Sequence, residues 1–117
     1  MAKILILGAG AMGSAFSVPS LERQHEVIIA GTHLEDVFID EMKNNNNFHP
    51  SLKLHLSEKT NIIKYMNLSE EFKKKPDLIV LGVNSKGINW VVDQLSDILN
   101  DSTLPHILLL TKGLSIY

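Results

Sequence analysis

Lys3-Ile-Leu-Ile-Leu-Gly-Ala-Gly-Ala-Met-Gly13 is the stretch that decides the fold. Ile4 to Leu7 is a short apolar run containing β-branched residues, which suits a strand covered on both faces and therefore a central strand of a parallel sheet. Gly8-Ala-Gly10-Ala-Met-Gly13 then fits the pattern G-x-G-x-x-G. It stands between that strand and a run of small and apolar residues, Ala11 to about Arg23, that permits a helix. A bare match would carry little weight; the strand before it and the helix after it give it meaning. In such a loop the first glycine allows a tight turn, the second lets the backbone approach a pyrophosphate, and the third brings the helix close to the sheet. The amides of Ala11, Met12 and Gly13 at the helix start would then face phosphate oxygens. Without a ligand, the same glycines would serve only as a tight turn.

Working outward, Pro19 removes a helical hydrogen bond and crowds the turn before it, so a kink or an early stop is expected there. Glu26 to Ala30 reads as a second strand closed by Gly31. Leu34 to about Lys43 carries apolar residues at 34, 37, 38 and 42 on one helical face. The polar run Asn44 to Asn47, leading into Phe48-His49-Pro50, reads as a loop. Short strands are expected over 53–56 and 61–66, and a helix over Ser69 to Lys75 with Ser69 as its N-cap. Asp77 to Val83 is a strong buried strand. Gly87 to Asn100 is amphipathic, with Ile88, Val91, Val92, Leu95, Ile98 and Leu99 along one side, and His106 to Thr111 supplies a last strand. Strands alternating with helices imply right-handed crossovers. The expected fold is a Rossmann-like, doubly wound α/β domain over residues 1–117, its parallel sheet covered by helices on both faces.

The bulk composition narrows the function. The 117 residues, 44% hydrophobic and 21% charged, suit one globular domain. A net charge of −2 offers no cationic field for nucleic acid. Cysteine is absent, which excludes disulfides, thiolate metal sites and a cysteine nucleophile and is compatible with the cytoplasm. The histidines at 25, 33, 49, 55 and 106 show neither an i, i+4 pair nor zinc-ligand spacing, so no metal is expected. No stretch reaches the roughly 18 apolar residues of a spanning helix, so no membrane insertion is expected. Trp90 reads as a packing residue rather than a stacking platform for bases.

An acid about 20 residues beyond the glycine loop, at the end of the second strand, usually accepts the ribose hydroxyls of NAD. Here the strand ends in Gly31, Thr32 and His33. With no carboxylate there to repel a 2′-phosphate, and with Thr32 and His33 able to bind one, NADP or dual use is favoured over strict NAD. A solvated loop histidine is the plain alternative for His33.

Several separated segments converge on one family. Ile6-Leu-Gly-Ala-Gly-Ala-Met-Gly-Ser-Ala15, Ser17-Val-Pro19, Gly31-Thr32, His49-Pro50, Leu81-Gly-Val83 and Thr111-Lys-Gly-Leu114 resemble the landmarks of the NAD(P)-dependent glycerol-3-phosphate dehydrogenases, in particular the archaeal-type members. The resemblance covers nearly the whole chain. It implies an oxidoreductase that interconverts dihydroxyacetone phosphate and glycerol 3-phosphate by hydride transfer, in glycerophospholipid metabolism. It further implies that Gly8, Gly10, Ala11, Met12 and Gly13 hold the pyrophosphate region, that Thr32 and His33 lie beside the adenosine ribose, and that His49 approaches the cofactor. Val83, Asn84 and Ser85 follow a strand at the sheet's carboxyl edge, where such folds bind ligands. Asn84 and Ser85 would lie on the nicotinamide side, or simply cap the next helix. In the Thr-Lys-Gly signature Lys112 would contact the phosphorylated triose and the cofactor, and Gly113 would let it come close.

Relatives in this family carry a second, proton-transferring lysine and a helical domain further along. Neither occurs in these 117 residues, so no catalytic residue is assigned here and the chain alone is expected to be incomplete for catalysis. Two other readings stand beside this one. A ketopantoate-reductase-like protein would also open with a Gly-Ala-Gly-Ala loop, but usually shows Asn-Gly where this chain has Lys112-Gly113. A non-catalytic NADP(H)-binding module is the third. Uncovered apolar surface would favour self-association, most simply a homodimer.

Overall fold

The computed structural model describes residues 2–82, 89–90, 93 and 106–109. Five strands form one parallel sheet: β1 (Lys3–Leu7), β2 (Glu26–Ala30), β5 (Asn61–Ile63), β6 (Leu78–Leu81) and β7 (His106–Leu109). Their order is β5-β2-β1-β6-β7. Ile4 of β1 pairs with Val27 on one side and Leu78 on the other. The chain therefore winds outward from β1 through β2 to β5, then returns across the sheet to β6 and β7. The reversal falls between β1 and β6, which places a crevice at their carboxyl ends. This is the Rossmann-like doubly wound fold the alternating pattern implies.

Strand periodicity divides the core into two layers. Ile4, Ile6, Val27, Ile29 and Val80 point to one face, where they meet Ile39 and Met42 of α2 (Asp36–Asn44) together with the partly buried Phe16, Leu21 and Phe38. Leu5, Leu7, Ile28, Ala30, Ile79 and Leu81 point to the other, against Leu68 of α3 (Leu68–Lys73), Phe72 and Trp90. Burial of a single Ile or Leu side chain of this kind contributes about 1.5–3 kcal/mol. The strands that carry both layers are those read as apolar runs without alternation.

Several boundaries differ from the sequence reading. Helix α1 (Ala11–Glu22) runs through Pro19 instead of stopping there. The carbonyl deprived of its partner belongs to Ala15, an exposed residue whose oxygen water can satisfy, and the ladder resumes with Arg23 N–H on the Pro19 carbonyl at 3.1 Å. The buried face of α1 is polar in composition: Ser14, Ser17 and Ser20 return their hydroxyls to the carbonyls of Ala9, Ser14 and Phe16. Small, self-satisfied side chains let this helix lie close to β1 and β2.

Helix α2 begins at Asp36, so its inner face is Phe38, Ile39 and Met42, whereas Leu34 and Val37 are 82% and 71% exposed. The expected loop at 44–50 contributes β3 (Phe48–His49), which pairs antiparallel with β4 (Leu54–His55). Asn46 and Asn47 enter this ribbon at φ of 55° and 62°, a left-handed conformation that asparagine tolerates. Residues 65–67 form a 3-10 turn rather than extending β5, and α3 starts at Leu68 after Asn67, so Ser69 is not its cap. Of the expected 87–100 helix, Asn89, Trp90 and Asp93 are helical and the rest lies outside the described residues. Among the described residues no helix is long and apolar enough to cross a membrane.

Candidate functional site

Glycines follow three adjacent strands at the carboxyl edge. Gly8 N–H reaches the Ala30 carbonyl at 2.7 Å, Gly31 N–H that of Ile63 at 2.9 Å, and Gly82 N–H that of Leu7 at 2.8 Å, each carrying the parallel ladder one residue past a strand end. Gly8 then turns the chain at φ 105°, a conformation that other residues rarely adopt. Gly13 and Gly82 meet face to face. A Cβ on Gly13 would lie 2.9 Å from the Gly8 oxygen, and one on Gly82 would lie 2.9 Å from the Gly13 Cα. The third glycine of the loop is thus required by the close approach of α1 to the Gly8 carbonyl and to Ile6 of β1, and Gly82 by the approach of the end of β6 to Gly13. Gly82 was read only as a landmark; its necessity follows from a contact with a residue far away in sequence.

Gly10 is different. Its φ of −67° suits any residue, and a Cβ there would meet nothing nearer than the Gly82 oxygen at 3.8 Å. The fold does not need a glycine at this position. What an added side chain would obstruct is the space above the loop, which is where the pyrophosphate reading places a ligand.

Helix α1 starts at this point with no side-chain cap and no acidic residue in its first turn. Ser14 N–H makes the first intrahelical bond, to the Gly10 carbonyl at 3.0 Å. The amides of Ala11, Met12 and Gly13 thus precede the ladder and are free to face an anion. A 12-residue helix adds the positive end of its dipole. The loop, the uncapped helix and the space over Gly10 together fit a dinucleotide pyrophosphate.

One side of the crevice is built from the end of β2. Thr32 Oγ1 accepts Leu34 N–H at 3.3 Å, which leaves its own hydroxyl proton available. His33 is exposed, its ring 5.2 Å from Trp90 and 6.4 Å from Tyr65. Trp90 packs against the second core layer. Sequence reading missed one residue here. Glu35 Oε1 accepts N–H bonds from Thr32 at 2.8 Å and from Ala9 at 3.1 Å. The absence of a carboxylate at positions 31–33 therefore does not mean its absence from the site: Glu35 enters from the start of α2.

His49 is buried against the glycine loop. It is 1% exposed, its Nε2 is 2.9 Å from the Ala9 carbonyl, and its Nδ1 accepts Leu52 N–H at 3.3 Å. The second bond requires the proton on Nε2, so the imidazole donates to Ala9. Phe38 packs edge-on against the ring at 5.4 Å. Val83, Asn84, Ser85, Lys112 and Gly113 lie outside the described residues. Among the described residues, no three His, Asp or Glu side chains gather as a metal site.

Comparison with known proteins gives this geometry a lineage. Residues 3–116 match the family model described as NAD-dependent glycerol-3-phosphate dehydrogenase N-terminus. The chain is 32% identical over 111 residues to the NADP(+)-dependent glycerol-3-phosphate dehydrogenase of Archaeoglobus fulgidus, covering 95% of this chain and 31% of that protein. It is 33% identical over 93 residues to the glycerol-3-phosphate dehydrogenase (NAD(P)+) of Bacillus velezensis, covering 79% and 26%. The chain thus spans under a third of the length of either relative. A G-x-G-x-x-G loop at the switch point of a parallel sheet, matched across nearly the whole chain, places this protein in the family of NAD-dependent glycerol-3-phosphate dehydrogenase N-terminal domains.

Proposed function

We infer that these residues form the dinucleotide-binding part of a glycerol-3-phosphate dehydrogenase, which interconverts dihydroxyacetone phosphate and glycerol 3-phosphate. Gly10 carries the reading, because the fold tolerates a side chain there and a bound pyrophosphate would not. The amides of Ala11, Met12 and Gly13 hold the diphosphate, and the helix dipole favours its charge. Adenosine runs along the carboxyl edge toward Thr32 and His33, with Tyr65 and Trp90 beside it. The bound nicotinamide supplies or accepts the hydride. By their place in the family's pattern, Lys112 and Gly113 are assigned to the phosphorylated triose, and Asn84 and Ser85 to the nicotinamide. None of the residues named here is assigned to proton transfer.

Thr32 and His33 favour NADP, as does the likeness to the NADP(+)-dependent archaeal relative, while Glu35 weighs toward NAD. Use of both nucleotides, with NADP favoured, is the outcome this balance supports. A cytoplasmic setting suits a cysteine-free chain that draws on a nicotinamide pool. Exposed Leu34, Val37 and Met66 support self-association as a homo-oligomer.

Calorimetric titration with NADPH and with NADH, followed by dihydroxyacetone phosphate, tests the reading. Trp90, the sole tryptophan, gives a parallel fluorescence signal. Nucleotide binding with a changed Trp90 emission and little response to the triose is expected. Heat from neither nucleotide would overturn it, as would tight binding of the triose without nucleotide.

A further inference from the structure

Both polar groups of the Ala9 backbone are held by side chains. Its N–H donates to Glu35 Oε1 at 3.1 Å, and its carbonyl accepts the Ser14 hydroxyl at 3.1 Å and His49 Nε2–H at 2.9 Å. The two donors on the carbonyl come from separate elements, the first turn of α1 and β3. Ala9 and Ser14 are fully buried and His49 is nearly so, which keeps water from competing for this oxygen. The next residue differs. Gly10 is partly exposed, and its N–H has no hydrogen-bond partner among the described residues.

The Ala9 carbonyl and the Gly10 N–H belong to one peptide unit. The unit is planar and trans, so the two groups point in opposite directions. Turning the oxygen toward buried Ser14 and His49 therefore turns the N–H away from them. Rotation of this peptide would carry φ at residue 10 to positive values, which a glycine permits. The residue that leaves room for a ligand thus also leaves the peptide free to flip, and something else must hold it.

We propose that Ser14 and His49 are positioning residues that lock the Ala9–Gly10 peptide with its N–H toward the bound diphosphate. Gly10 N–H then joins the amides of Ala11, Met12 and Gly13 as a fourth donor. A flipped peptide would present the Ala9 oxygen to the phosphates, replacing an attraction by a repulsion. The two buried donors occupy both lone pairs of that oxygen and set the orientation before the ligand arrives, so binding carries no cost of ordering it. The inference rests on the dinucleotide reading above.

The test titrates the full chain with ADP, which carries the diphosphate without the nicotinamide, and follows the Gly10 amide in 15N–1H spectra. In the wild type that resonance should move strongly on saturation. S14A and H49L each remove one donor and should weaken ADP binding by about threefold or more, with a reduced shift at Gly10. H49Q, whose side-chain amide can replace Nε2–H, should recover much of both. S14A and H49L chains that bind ADP within about twofold of wild type would overturn the proposal. So would weakened binding with an unchanged Gly10 shift, since that is the mark of a merely structural loss. A wild-type Gly10 resonance that stays still while ADP binds would overturn it and leave the dinucleotide reading standing. A wild-type chain that binds neither ADP nor NADH would remove both.

Discussion

His49 donates from Nε2 to the carbonyl oxygen of Ala9 across 2.9 Å, tying the floor of the glycine loop to a residue forty positions later. The bond is buried, and the opposite ring nitrogen is held by Leu52 N–H. His49 is therefore a positioning residue, acting on the loop through its backbone. His49→Leu fills a similar volume but removes one of the two donors on the Ala9 carbonyl, where the Ser14 hydroxyl remains, and the acceptor of Leu52 N–H, at a cost of about 0.5–1.5 kcal/mol for each lost bond. Thermal unfolding should show a lowered melting temperature, and nucleotide affinity should fall even at temperatures where the variant is fully folded. An H49L variant with wild-type affinity when folded would show that the loop keeps its shape without this support.

Gly82→Ala tests the junction between β6 and α1. The new Cβ would stand 2.9 Å from the Gly13 Cα and 3.2 Å from its nitrogen, and backbone cannot swing aside as a side chain can. Overpacking of this kind costs about 1–3 kcal/mol. Because Gly82 packs directly on Gly13, whose own Cβ would press on the Gly8 oxygen, the double variant G13A/G82A should depart from additivity in a denaturation series. Strict additivity would mean that the two positions relax independently.

Much of the architecture was legible because it rests on local signals. β1, β2 and β6 are apolar runs that end in Gly8, Gly31 and Gly82, and a strand buried on both faces needs no alternation to be recognised. Boundaries failed where tertiary context prevailed. Pro19 was read by its missing donor, but the lost bond faces solvent at Ala15 and the helix continues. Leu34 and Val37 were read as an inner face, but α2 begins only at Asp36 and turns Ile39 inward. The site was legible at the glycine loop and incomplete at its rim. Glu35 lies just past Gly31, Thr32 and His33 at the end of β2, and only the backward fold of its side chain brings it to Ala9. An acid within a few residues of a β2 terminus was the available signal. For His49, nothing local indicated that its ring would be buried on the Ala9 carbonyl.

Gly10→Ala tests the central claim most directly, because it separates folding from binding. The backbone at Gly10 suits alanine and the added Cβ has 3.8 Å of clearance, so stability should stay within about 1 kcal/mol of wild type. Nucleotide affinity measured on the same sample should fall about tenfold or more, since each 1.4 kcal/mol of lost or strained contact with a pyrophosphate is a factor of ten. A melting temperature within several degrees of wild type with weakened NADH and NADPH binding is the result this account predicts. Unchanged affinity for both nucleotides in a folded G10A chain would show that the loop is a turn and not a dinucleotide site.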